Sequence, residues 1–241
     1  IEGRDTIERR PGTVSIVLPT TLGQPLLGLA DAVRVADSTW HVPLDLVPTE
    51  RLNDGKVGPD GELYVGTTLS AGQPDRARMF RIGADGSAKV ILTGLSVSNG
   101  LDWFDDGDMA YVDSLRRRIS LIKFDDGSPV RWETIVDCDP TWGLPDGLTL
   151  DDQENIWVAF YGGSAVRCFD RRGRQLEHVE LPVSQPTCPA FGGPELRTLF
   201  VTSASDRLSP AALDSEPAAG AVLAIDTGAR GRLPNVFSVA D

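Results

Sequence analysis

Histidine is nearly absent. His41 and His178 are the only two in 241 residues, and neither has a Cys or carboxylate partner at ligand spacing. A Ser-His-Asp triad or a histidine-rich zinc centre would have little to draw on. Cysteine is scarce too: Cys138, Cys168 and Cys188 are odd in number and form no C-x-x-C pair. That excludes a disulfide framework and a zinc knuckle, and reads as free thiols in a reducing, cytoplasmic compartment. No run of about 18 apolar residues is present to span a bilayer, so no membrane partner is expected. Positive charge is short as well, with 23 Lys+Arg against 35 Asp+Glu and a formal net charge of -12. Such a surface repels phosphate backbones and argues against nucleic acid.

Turn chemistry is plentiful. With 25 Gly and 17 Pro against 41% hydrophobic residues, the composition points to many short strands rather than long helices. Four segments line up as an internal repeat: Asn53-Asp54-Gly55 before Tyr64-Val65-Gly66-Thr67, Ser98-Asn99-Gly100 before Tyr111-Val112-Asp113-Ser114, Pro145-Asp146-Gly147 before Trp157-Val158-Ala159-Phe160, and Phe191-Gly192-Gly193 before Phe200-Val201-Thr202-Ser203. The closing glycines at 55, 100, 147 and 193 are spaced by 45, 47 and 46 residues. In the first three units an Asp-bearing turn follows (Pro59-Asp60-Gly61, Asp105-Asp106-Gly107, Asp151-Asp152-Gln153). Third and fourth strands then close each unit, as in Ala165–Phe169 and His178–Leu181.

Four antiparallel strands at a period near 46 describe a propeller blade. Leu26 to Ala36 with Leu44 to Val47 reads as a further blade, and Thr6–Arg9 as the outer strands of another. Ile1-Glu2-Gly3-Arg4 stands where a loop after a second strand is expected, so the chain reads as starting mid-blade; the same tetrapeptide also reads as a protease-cleavage linker. The expectation is therefore an all-β, six-bladed propeller of four-stranded antiparallel blades over residues 1–241, its first blade incomplete at the N-terminus.

The loops that open the inner strands of a propeller are expected to converge on one mouth of the channel. Those positions hold Asp54, Asn99 and Asp146, with Asn53 beside the first. Their oxygens are hard donors suited to Ca, Mg, Mn or Zn. One such tripeptide alone is ordinary turn chemistry; three in register carry more weight. Ser114 and Ser203 have no nearby histidine to activate them. Lys56 could support its loop through its charge, though an exposed lysine is the commoner case; Arg116-Arg117-Arg118 reads as a solvated hairpin, and Trp103, Trp142 and Trp157 as packing between blades.

Arg51-Leu52-Asn53-Asp54-Gly55-Lys56-Val57, Ser98-Asn99-Gly100-Leu101-Asp102-Trp103, Leu144-Pro145-Asp146-Gly147 and Phe191-Gly192-Gly193 with Val201-Thr202-Ser203 closely resemble the regucalcin/gluconolactonase family of six-bladed propellers, which also includes senescence marker protein and luciferin-regenerating enzyme. The resemblance runs from about residue 45 to the C-terminus. It implies one divalent cation in the channel and hydrolysis of a small sugar lactone such as gluconolactone, by a monomer or weak homodimer. It also implies Asn99 and Asp146 as metal ligands, Asp146 as the catalytic proton acceptor as well, and Arg51, Asn53 and Asp54 as substrate-binding residues. The family's remaining ligand, a glutamate in an E-G-P or E-S-P motif, would lie upstream of Ile1, and Glu2 sits in a different motif. Where the family often carries an acidic sugar contact, this chain reads Thr68-Leu69-Ser70-Ala71, so its substrate choice is expected to differ. Two other readings compete: a non-catalytic calcium-binding or regulatory propeller, and a protein-binding scaffold, for which a polar channel cluster would serve no purpose.

Overall fold

The computed structural model describes residues 12–70 and 73–239, and within them the chain forms nineteen strands in five sheets. The first sheet is β1 (Ile16–Leu18), β2 (Leu26–Gly28), β3 (Ala32–Val35) and β4 (His41–Pro43). The second is β5 (Glu50–Val57), β6 (Leu63–Leu69), β7 (Ala77–Ile82) and β8 (Ala88–Leu95). The third is β9 (Ser98–Trp103), β10 (Met109–Asp113), β11 (Arg118–Asp125) and β12 (Ser128–Asp137). The fourth is β13 (Leu144–Leu150), β14 (Ile156–Tyr161), β15 (Ala165–Phe169) and β16 (Gln175–Glu180). The fifth has three strands, β17 (Pro186–Gly192), β18 (Thr198–Ser203) and β19 (Val222–Asp226), with helix α1 (Pro210–Ser215) in the connection before β19. Every sheet is an antiparallel meander in chain order.

Asp side chains set the turns between strands, as their spacing predicts. Asp60 accepts the Glu62 amide at 3.1 Å, Asp106 the Asp108 amide at 3.1 Å and Asp151 the Gln153 amide at 2.9 Å. Each carboxylate mimics a backbone turn and frees the strand ends to pair.

Alternating residues from neighbouring sheets fill four apolar interfaces. Leu26, Val33 and Val35 pack with Leu52, Val65 and Phe80 between sheets one and two, and Tyr64, Met79, Trp103 and Tyr111 join sheets two and three. Val112 and Ile119 meet Leu148, Val158 and Phe160 between sheets three and four, and Trp157 and Val166 meet Leu199 and Val201 between four and five. After β19 the chain runs back beneath the other sheets. Gly231 bridges to Asp151, Asn235 Nδ2 donates to the Val57 carbonyl at 3.1 Å, and Phe237 bridges to Thr20 while its ring meets Trp40 at 5.1 Å. Fully buried Phe237 thus ties the C-terminal segment into the core between sheets one and two.

The propeller architecture stands, but the blade count is corrected from six to five, the last of them three-stranded. β1 pairs with β2, Ile16 opposite Gly28 and Leu18 opposite Leu26, so Ile16–Leu18 completes the first sheet. The Thr6–Arg9 segment assigned to a further blade lies outside the described residues.

Candidate functional site

The innermost strands lie side by side around an axis: β1 against β5, β5 against β9, β9 against β13, and β13 against β17. In four of them the pairing register breaks near the start of the strand. The break falls between Leu52 and Gly55 in β5, and opposite β10 between Ser98 and Leu101 in β9. It falls between Pro145 and Leu148 in β13, and between Pro186 and Pro189 in β17. A bulge frees two residues from the ladder and re-aims their side chains. The freed pairs are Asn53-Asp54, Asn99-Gly100, Asp146-Gly147 and Thr187-Cys188. The candidate residues Asn53, Asp54, Asn99 and Asp146 therefore sit on strand bulges rather than in the loops that open the strands.

Glycine lets these strands approach each other. A Cβ on Gly147 would stand 2.8 Å from the Cys188 α-carbon on β17, and one on Gly100 would meet the backbone of Asp146 and Gly147. Neither position tolerates a larger residue without a backbone shift.

The structure brings Asp54, Asn99 and Asp146 into one polar cluster. Burial and the nearby Asp54 charge push the Asp146 carboxyl up to about 8, offset in part by the Asn99 amide and the Gly147 N–H. Asp54 is also raised, first by burial; the Gly55 N–H, donated to its Oδ1 at 2.7 Å, and the Lys56 charge oppose this. Both acids keep some accessible surface yet are enclosed by protein, as residues lining a channel are. Asn99, 9% exposed, is held from behind: its Nδ2 donates to Ser114 Oγ at 3.0 Å, and Ser114 Oγ donates to the Pro145 carbonyl at 2.6 Å. That chain of bonds ties β9 to β13 and leaves the Asn99 carbonyl oxygen free of it. Asn53 Nδ2 donates to the Ser98 carbonyl at 3.0 Å, tying β5 to β9.

Arg51 makes no hydrogen bond to this cluster among the described residues, and partial burial lowers its pKa. It is exposed at the start of β5, and its Nη1 donates to the Leu52 carbonyl at 2.9 Å. It forms no ion pair with a carboxylate among the described residues. Sequence reasoning missed four neighbours of the cluster. Ser114, considered only as a nucleophile, orients Asn99. Lys56, read as exposed, pairs with Asp102 at 2.7 Å within the ring of inner strands. Cys188 lies against Gly147 of the Asp146 bulge, and burial pushes its thiol up. Lys56 and Asp102 each stand two residues past a strand bulge, an offset that alignment on the motif glycines hides.

The donor set fits a divalent cation. Burial raises both carboxyls and the Asp54 charge raises Asp146 further; a cation beside them would remove that cost, with the Asn99 amide oxygen as a third hard donor. Among the described residues no three His, Cys, Asp or Glu side chains gather closely enough to form a cage on their own, so the amide is needed. A separate cleft of about 390 Å³ between sheets four and five is lined by Asp151, Glu177, Arg197 and Arg230. It lies at the far end of β13, and its buried carboxylate, Asp151, is already saturated with hydrogen bonds. Among the described residues no helix is long and apolar enough to cross a membrane.

Comparison with known proteins gives one consistent result. The profile of the SMP-30/Gluconolactonase/LRE-like region matches residues 2–205. Regucalcin of Xenopus laevis is 31% identical over 201 residues, covering 79% of this chain and 67% of its own length. Pentonolactonase XacC of Haloferax volcanii is 32% identical over 209 residues, covering 84% of this chain and 68% of its own. The chain thus spans about two thirds of the length of these relatives. Among solved structures, the calcium-binding protein regucalcin of Agrobacterium tumefaciens superposes with a TM-score of 0.88 at 26% identity, over 97% of this chain and 82% of that one.

Proposed function

The chain belongs to the SMP-30/gluconolactonase/LRE-like family, and from that premise we propose that it is a divalent-metal-dependent lactonase that opens small sugar lactones such as gluconolactone. The observation that carries this reading is the repeated strand bulge, which aims Asp54, Asn99 and Asp146 into one enclosed cluster where Asp146 titrates near 8.

Asp146 and Asn99 would hold the cation, with Asp54 beside them. When bound, such an ion supplies Lewis-acid polarisation of an ester carbonyl. The protein's own groups supply the rest. A cation held beside Asp146 would keep its carboxylate ionised, ready to take a proton from water and to return it. Water oxygen bonds to the lactone carbonyl carbon as its proton passes to Asp146 Oδ. The ring C–O bond then breaks, and the leaving alkoxide takes that proton, giving the open hydroxy acid. Ser114 holds the Asn99 amide in place through this sequence. Arg51 offers its guanidinium N–H fork to sugar hydroxyls. Asn53, whose Nδ2 is committed to Ser98, presents its carbonyl oxygen. Three free cysteines, two of them buried, favour a reducing cytoplasmic setting.

Acid release from gluconolactone or a pentonolactone, followed with and without EDTA and after returning Ca, Zn, Mn or Mg, tests the proposal. Metal-dependent turnover is expected. An ion that binds while no lactone opens would favour the calcium-binding reading, which the name of the Agrobacterium relative keeps in view.

A further inference from the structure

Lys56 lies two residues beyond Asp54 on β5, the innermost strand of the second sheet. Its Nζ stands 2.7 Å from Asp102 Oδ2 on β9, and the side chains are only 21% and 15% exposed. The same carboxylate oxygen accepts the Leu150 N–H at 2.9 Å and the Thr149 hydroxyl at 3.3 Å, both from β13. Asp102 Oδ1 takes the Trp103 N–H at 2.9 Å. One ion pair therefore spans three inner strands beside the Asp54, Asn99 and Asp146 bulges. Lys56 and Asp102 follow Asp54 and Asn99 of the bulges by two and three residues on adjoining inner strands, so the pair borders the space that the cluster encloses. Three carboxylates and a single ammonium leave that space with two negative charges when the acids are ionised.

We propose that Lys56, by neutralising Asp102, sets the channel cluster at two negative charges and so selects a divalent cation over a trivalent one. The inference rests on the cation reading above and adds a residue that is not itself a ligand. Inside a protein, charges several ångströms apart interact far more strongly than in water, so one extra unit favours a trivalent over a divalent ion steeply. A purely structural role for the pair, as a staple of β5, β9 and β13, makes a different demand: loss of Lys56 would then weaken every ion equally.

Terbium(III) luminescence and calcium competition on the full chain separate these cases without any measurement of activity. In Lys56→Met the ratio of terbium to calcium affinity rises by about tenfold or more, whereas Lys56→Arg stays within about threefold of wild type. Asp102→Asn, which leaves the ammonium and removes a carboxylate, moves the ratio the other way and serves if Lys56→Met does not fold. A ratio unchanged in Lys56→Met or Asp102→Asn, or shifted equally in Lys56→Arg, overturns the proposal while leaving the metal site intact. A wild-type chain that binds neither ion overturns the cation reading itself, and this inference with it.

Discussion

Asp146 and Asp151 stand at opposite ends of the same strand, β13, and are treated in opposite ways. Asp151 is 3% exposed and accepts four hydrogen bonds: from the Gln153 and Asn155 amides at 2.9 and 2.8 Å, from Asn155 Nδ2 at 2.9 Å and from Trp157 Nε1 at 3.0 Å. Asp146 is enclosed beside another acid with only the Asn99 amide and one backbone N–H to compensate. A buried carboxylate ringed by donors is a structural joint; one short of donors and facing a like charge is held for a ligand or a proton. Sequence alone assigns both to Asp-bearing motifs, and the difference between them is where this fold turns into a site.

The sharpest break between the two ends comes from removing one carboxylate charge at a time. Asp146→Asn keeps the shape and is expected to lower kcat for lactone hydrolysis by about 1000-fold, with a melting temperature no lower than that of the wild type. Asp151→Ala should do the reverse. It strands four donors, three of them anchoring the β13–β14 turn and one Trp157, and costs about 3 kcal/mol of stability. For a chain of this size that is a fall of about 10 °C in Tm, read by thermal melting, with turnover per folded molecule nearly unchanged. If Asp151→Ala abolishes turnover in fully folded protein, or Asp146→Asn unfolds the chain, the contrast fails.

A smaller effect sharpens the comparison through pH. The folded state holds a proton on Asp146 up to about 8, whereas an unfolded chain releases it near 3.8. Between those values the native state binds more protons, so in chelator the stability should fall as pH rises through that window and level off above it. Asp146→Asn should flatten the slope of Tm against pH in EDTA. A slope identical in wild type and Asp146→Asn would show that the carboxyl titrates normally.

Much of the architecture is legible because its signals are local. Asp60, Asp106 and Asp151 act on amides two residues away, and the spacing of the turns they make gives the meander. Gly100 and Gly147 mark bulges because a Cβ there would collide with the next inner strand. The same reasoning misplaces the fifth sheet. Its bulge, Thr187-Cys188, contains no glycine, while Gly193 lies beyond the end of β17 at the turn into β18, so a matching interval of 46 residues joins positions that are not equivalent. The count of six rested on Thr6–Arg9, which lies outside the described residues; among those described, strand pairing gives five sheets, with Ile16–Leu18 completing the first. Lys56–Asp102 and Ser114–Asn99 were invisible because each joins residues on separate strands or sheets through a single side-chain contact.

The central claim is that Asp54, Asn99 and Asp146 surround a place where a cation replaces a proton. Calorimetric titration of chelated protein with calcium or zinc at pH 7, in two buffers of different ionisation heat, counts ions bound and protons released together. One ion should bind and displace about one proton, with the release vanishing at pH 9 and in Asp146→Asn. Binding with no proton released at pH 7, or undiminished binding and release in Asp146→Asn, would contradict it.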